Sequence, residues 1–130
     1  MSFSFDGRYL ISLGVQGENT LAVFEISSGS VICNAVLMNY ATNQVKVDYM
    51  TQGSHVQFIT VGNNASMSIW RVDTMTKQLT FYDVSPPDTL QSVNFLSVEF
   101  THFLPSPVGT YYILIGADDG SLIAFNQQTS

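Results

Sequence analysis

The chain has 130 residues, 45% of them hydrophobic and 12% aromatic, which is enough apolar surface for a packed core and excludes a disordered tail. Net charge is −6, and the four basic residues, Arg8, Lys46, Arg71 and Lys77, stand singly; binding to nucleic acid or to an acidic membrane needs clustered cations, so neither is an expected partner. Only 11% of residues are charged, against about 25% in an ordinary soluble domain, so part of the surface is expected to lie against other protein.

The first unit covers about residues 1–40. Phe3-Ser4-Phe5 reads as the end of a strand and Asp6-Gly7 as a turn. Arg8 to Leu13 follows as a strand, Gln16 to Asn19 as a loop, and Thr20 to Ile26 as another strand. Ser27 to Ser30 is a turn cluster leading into Val31 to Leu37. No window keeps the i, i+3, i+4, i+7 apolar spacing with caps that a helix needs.

The second unit, about residues 41–88, begins where Val45, Val47 and Tyr49 alternate with Lys46 and Asp48, the period-two mark of a half-buried strand. A turn is expected at Thr51 to Ser54, then strands at Val56 to Val61, Ser66 to Trp70 and Gln78 to Tyr82, separated by turns at Gly62 to Ala65 and Asp73 to Lys77. Ser85-Pro86-Pro87-Asp88 reads as a linker, because two prolines cannot sit in a central ladder.

The third unit, about residues 89–130, has strands at Val93 to Phe100, Tyr111 to Ile115 and Ser121 to Phe125. They are joined by Pro105 to Gly109 and a tight turn at Ala117 to Gly120. A fourth strand is missing here, as most of the first strand is missing from the first unit. Aligning Gly14, Gly62 and Gly116 gives repeats of 48 and then 54 positions by subtraction. The third strands then correspond as Leu21 to Phe24, Met67 to Trp70 and Leu122 to Phe125, each ending in an aromatic residue placed to fill the gap between neighbouring sheets. The expected fold is all-β: about three four-stranded antiparallel blades of an incomplete β-propeller, forming a single partial domain over 1–130.

Phe3-Ser4-Phe5-Asp6-Gly7-Arg8-Tyr9-Leu10, with Ser12 and Gly14, resembles the WD-repeat pattern, in which a Ser-Pro-Asp-Gly turn precedes a strand ending in Ser-Gly. Val23-Phe24-Glu25 and Ile69-Trp70 resemble the Trp-Asp end of its third strand. Phe5 replaces the usual proline, no Gly-His dipeptide occurs, and the Asp position holds Glu25, Arg71 or Asn126. The Asp-His-Ser-Trp network of ideal repeats is therefore not expected to form. Ile11 to Gly14, Phe58 to Asn63 and Ile69-Trp70 look most like large tandem-propeller proteins, among them the echinoderm-microtubule-associated-protein-like family and the WD-repeat proteins of cilia, flagella and centrioles. The resemblance implies a cytoplasmic scaffold in a ciliary or microtubule-associated complex, with protein partners.

Residues that could carry chemistry have simpler readings. Cys33 lies in an apolar run and is the one cysteine, so it permits no internal disulfide, fits a reducing compartment, and reads as a buried side chain. No signal peptide or apolar run of membrane-spanning length is visible. Asn64-Ala65-Ser66 reads as a chance match to a glycosylation acceptor. His55 and His102 have no ligand at metal-binding spacing. Asp118-Asp119-Gly120 reads as a hairpin turn rather than a calcium loop. Tyr9, Phe24, Phe58, Trp70, Phe81, Phe95, Tyr112 and Phe125 read as packing between blades rather than as a ligand pocket. No nucleophile elbow or phosphate loop occurs, so no catalytic, cofactor-binding or metal site is expected.

The leading expectation is a non-catalytic protein-interaction scaffold whose open ends make the isolated chain self-associate. A self-contained β-sandwich or barrel binding a small ligand or glycan is the alternative, without blade repeats. An enzyme on a propeller would need polar side chains clustered at the central channel, and His, Cys and Lys are scarce.

Overall fold

The computed structural model describes residues 1–4, 7–14, 20–36, 42–47, 55–84, 93–100 and 110–128. Among these there are strands and turns and no helix. The first sheet contains β1 (Ser2–Phe3), β2 (Tyr9–Leu13), β3 (Thr20–Glu25) and β4 (Val31–Val36). The central sheet contains β5 (Thr42–Val47), β6 (His55–Gly62), β7 (Ser66–Asp73) and β8 (Gln78–Asp83). The third contains β9 (Phe95–Phe100), β10 (Thr110–Ala117) and β11 (Leu122–Gln128), and so has three strands rather than four. Strands pair antiparallel in sequence order within each sheet.

The strands expected from sequence recur with small shifts at their ends. The third unit's first strand starts at Phe95 rather than Val93, because the preceding two residues turn aside: Val93 O accepts from Ala65 N at 2.7 Å and Asn94 Oδ1 from Asn64 N at 3.0 Å. Expected features at Asp6, Gln16 to Asn19, Leu37, Tyr49, Thr51 to Ser54, Ser85 to Asp88 and Pro105 to Gly109 lie outside the described residues.

Side chains alternate between the two faces of a strand, so the register sorts them into rows. One set of rows runs Ser2–Ile11–Val23–Cys33 in the first sheet, Lys46–Ile59–Ile69–Tyr82 in the central sheet, and Glu99–Leu114–Ala124 in the third. The other set runs Phe3–Leu10–Phe24–Val31, Val47–Phe58–Trp70–Phe81 and Phe100–Ile113–Phe125. The first set looks toward the following sheet and the second toward the preceding one. Ile11, Leu21 and Val23 thus meet Val47, Phe58, Trp70 and Val72 in one core. Ile59, Val61, Met67 and Ile69 meet Phe95, Phe100, Ile113 and Ile115 in a second. Two separate cores between three stacked sheets are the arrangement of consecutive blades in an incomplete β-propeller-like fold, not of a two-sheet sandwich.

These rows correct the glycine alignment. Trp70 corresponds to Phe125 and Phe58 to Ile113, which puts Ala117, not Gly116, in the place of Gly62. A register shift in the β9–β10 ladder between Gly116 and Ala117 accompanies the difference. Since one residue of slip moves a side chain to the other face, counting from Gly116 would have turned the third sheet inside out.

The turns repeat as well. Gly29 N donates to Glu25 O at 2.9 Å and Lys77 N to Asp73 O at 2.7 Å, closing equivalent hairpins. Gly29 has φ 69° and Lys77 φ 60°, a left-handed conformation that glycine adopts freely and a side chain resists. Lys77→Gly is expected to raise stability by about 0.5–1 kcal/mol, and Gly29→Lys to lower it comparably. Urea unfolding of the two variants measures both signs. Ile59→Ala, at a fully buried position, is expected to cost about 2–5 kcal/mol in the same assay.

Candidate functional site

The surfaces and polar ties that the stacked sheets create are the material for a site. At the centre, the Trp70 ring lies parallel to Phe58, with centroids 5.9 Å apart, and against Phe81 at 4.6 Å. Its Nε1–H donates to Thr60 Oγ1 at 2.9 Å inside the core. One polar link of the hydroxyl–Trp kind therefore forms here, with threonine as acceptor in place of serine. A buried indole N–H without an acceptor would carry a desolvation penalty, so the threonine fixes the ring's orientation.

Along the inner strands, the first and central sheets each accept a backbone hydrogen bond from the sheet that follows. Val47 N donates to Ser2 Oγ at 3.1 Å, and Val98 N donates to Gln44 Oε1 at 2.6 Å. Lys46 Nζ and Glu99 Oε2 stand 3.3 Å apart across the same seam; both remain partly exposed, where such a pair contributes little to stability. At one end of the sheets, Asn43 Nδ2 donates to Asn63 Oδ1 at 2.9 Å and to Phe95 O at 2.7 Å. Asn94 N and Nδ2 donate to the two carboxylate oxygens of Asp118 at 3.1 and 2.9 Å, and Asp118 N donates back to Asn94 O. Asn94 therefore ties the third sheet's tight turn to the central sheet's turn through Asn64.

The singled-out residues fall as follows. His55 opens β6 with Nε2 3.6 Å from Asp73 Oδ2, half-exposed, while His102 lies outside the described residues. Asp118, Asp119 and Gly120 form the hairpin between β10 and β11, with Gly120 at φ 88°. Asp119 Oδ1 accepts from Ser121 N at 2.9 Å. Among the described residues, no three His, Cys, Asp or Glu side chains gather where they could hold a metal ion. No helix of the described residues is long and apolar enough to cross a membrane. Cys33 is half-buried on the face toward the central sheet, and burial pushes its thiol pKa up.

Of the eight aromatic residues expected to pack between blades, Tyr9, Phe58, Trp70 and Phe95 are buried, and Phe24 and Phe125 are half-buried. Phe81 and Tyr112, expected between blades, are instead 57% and 41% exposed. Phe81 stands on β8, the outer edge of its sheet. Tyr112 points from β10 to the side opposite Ile113, away from the central sheet.

Large apolar side chains are exposed on both outermost faces. Phe3 is 59% and Val31 48% exposed on the outer side of the first sheet, and Leu122 is 74% exposed on the outer side of the third. Polar reading of the sequence could not find them, because every one of these residues looks like core.

No protein-family model matches the chain. Over 79 residues, 61% of its length, the chain is 35% identical to Cilia- and flagella-associated protein 52 of Chlamydomonas reinhardtii. The chain spans 12% of the length of that relative.

Two turn carboxylates make a modest, pH-dependent contribution to stability. Backbone N–H groups of Thr76 and Met75 hold the Asp73 carboxyl below the usual carboxylate range, and the Ser121 hydroxyl and N–H do the same for Asp119. A depressed folded pKa contributes stability that is present above the unfolded value of about 3.9 and lost as pH falls through the lower, folded one. Thermal unfolding midpoints are therefore expected to fall with acidification below about pH 4, and less steeply in the Asp73→Asn, Asp119→Asn double variant.

Proposed function

We propose that this chain is a section of a WD-repeat-like β-propeller serving as a non-catalytic scaffold in a ciliary or flagellar assembly. Each of the units 1–40, 41–88 and 89–130 contributes one blade to a single partial propeller. The observation that carries the reading is the 35% identity to a cilia- and flagella-associated protein. The row-by-row repetition of three sheets supports it from the side of the fold, since a propeller grows by adding equivalent blades.

As a scaffold, such a section works through surfaces: the turn end carrying Asn43, Asn63, Asn94 and Asp118, the inner strand edges, and the exposed β8 side chains Phe81 and Tyr82. Its partners are proteins of the cilium or its microtubule cytoskeleton. A reading as a glycan- or ligand-binding sandwich has less support, because the three sheets enclose two cores and not one.

Localisation tests this directly. Expressed with a small epitope tag in Chlamydomonas reinhardtii, the chain is expected in isolated flagella and, after detergent extraction, in the axonemal pellet. Even distribution through the cell body, with none retained in flagella, would overturn the ciliary reading.

A further inference from the structure

We propose that the free edge of β8 takes an extended, basic segment of a partner protein as an added strand, with an arginine or lysine of that segment lying on the Phe81 ring and reaching the Asp83 carboxylate. The inference deepens the scaffold reading and rests on it, but not on the ciliary placement.

β8 is the last strand of the central sheet and has no ladder on its outer side among the described residues. Hydrogen-bonded and non-hydrogen-bonded pairs alternate along an antiparallel ladder. Val84 N donates to Met67 O at 2.8 Å. Counting back through the register makes Ile69–Tyr82 and Arg71–Thr80 hydrogen-bonded pairs, which turns the N–H and C=O groups of Leu79, Phe81 and Asp83 outward. Edge strands are commonly blunted by proline, bulges or charge. From Gln78 to Asp83 there is no proline, the ladder to β7 runs without a register shift, and the one charge stands at the end. The corresponding edge strand of the first sheet, β4, pairs through a shift between Val23 and Phe24.

The same three residues share one face. Leu79, Phe81 and Asp83 continue the rows Val56–Val72, Phe58–Trp70 and Thr60–Ser68, and so face the first sheet. That sheet's β4 brings Cys33 and Ala35, both small, to this seam. Phe81 stays 57% exposed, its ring backed by buried Trp70. Asp83 is exposed; its Oδ1 accepts from Ser68 Oγ at 2.6 Å, and its other oxygen has no hydrogen bond among the described residues. The seam lies between two four-stranded sheets, so further blades stacked on the outermost faces would leave it open.

An exposed aromatic face beside a carboxylate is a setting for a cation. Residues directly opposite on neighbouring strands, and those on the diagonal, lie within reach of a long side chain, so one arginine opposite Phe81 meets both groups. Of the nearby cations, Arg71 stands on the other face of the sheet and Lys77 beyond the far end of β8. The net charge of −6 draws a basic segment and disfavours an acidic one. In strand addition, main-chain pairing gives affinity and the side-chain contacts give specificity.

Fluorescence anisotropy of labelled seven-residue peptides, titrated with the full 130-residue chain, tests the proposal. One peptide alternates arginine with threonine and a second alternates glutamate with threonine. A third is the arginine peptide N-methylated on the backbone of its two central arginines, which keeps the charge and removes the donors that pair with β8. The arginine peptide is expected to bind, and the other two to bind about tenfold or more weakly. Asp83→Asn, which keeps an acceptor for Ser68, and Phe81→Leu, which keeps an apolar group on Trp70, are each expected to weaken binding about threefold or more. Far-UV circular dichroism checks that both variants stay folded; where Phe81→Leu does not, the conservative Asp83→Asn carries the test.

Any one of three results overturns the proposal: no binding of the arginine peptide up to about 1 mM, binding as tight by the N-methylated or glutamate peptide, or binding unchanged in Asp83→Asn. Flagellar retention is read on the tagged chain in cells, so failure here with retention there strikes this proposal and leaves the ciliary scaffold standing.

Discussion

The structure depends on burying both faces of the central sheet at once. Along β6, Val56, Phe58, Ile59, Thr60 and Val61 are all buried, and along β7 so are Met67, Ile69, Trp70 and Val72. The demand shows most in β6, where Phe58 to Val61 form an unbroken buried run. The polar groups caught inside must be satisfied in place, as Thr60 and the Trp70 indole satisfy each other. The flanking sheets each bury one face on it. This geometry accounts for a chain with few charges: much of its surface is sheet face pressed against sheet face.

Hydrophobic stacking alone would let neighbouring sheets slide, since it is non-directional. The inter-sheet hydrogen bonds remove that freedom. Ser2 and Gln44 hold the inner strands at a fixed offset, and Asn43 and Asn94, the latter through Asn64 N, hold the turn ends of the central and third sheets. The seam between the central and third sheets, tied at the inner strands and at the turns, has one register. The polar ties and the apolar rows then act on the same alignment from different directions.

Much of the fold was legible because turn chemistry and strand composition are local. Strands β2, β3, β6 and β7 and the hairpins between them follow from Gly, Asn and Asp at the turns and from β-branched and aromatic runs between them. The phase of the third unit was not legible. Gly116 has the look of Gly62, yet the register shift beside it moves the equivalent place to Ala117, and only pairing with β9 and β11 reveals that. The exposure of Phe81 and Tyr112 was hidden for a related reason: whether an aromatic residue is covered depends on the presence of a neighbour, which composition does not encode. The inter-sheet ties were hidden too, because they join side chains such as Gln44 to backbone groups more than fifty residues away. As for a site, the sequence pointed to no chemistry of its own, and the surfaces that matter are made by stacking.

Within each sheet, every strand pairs with its neighbour in sequence. Among the described residues no ladder waits for a distant segment to arrive, so each sheet can form by successive hairpin closures, and the entropy lost in closing each loop stays small. Proteins whose contacts are local in this sense reach the native state faster than sandwiches whose strands cross between sheets. The contacts between sheets, by contrast, span the largest separations in sequence, and it is there that the apolar rows must find their offset.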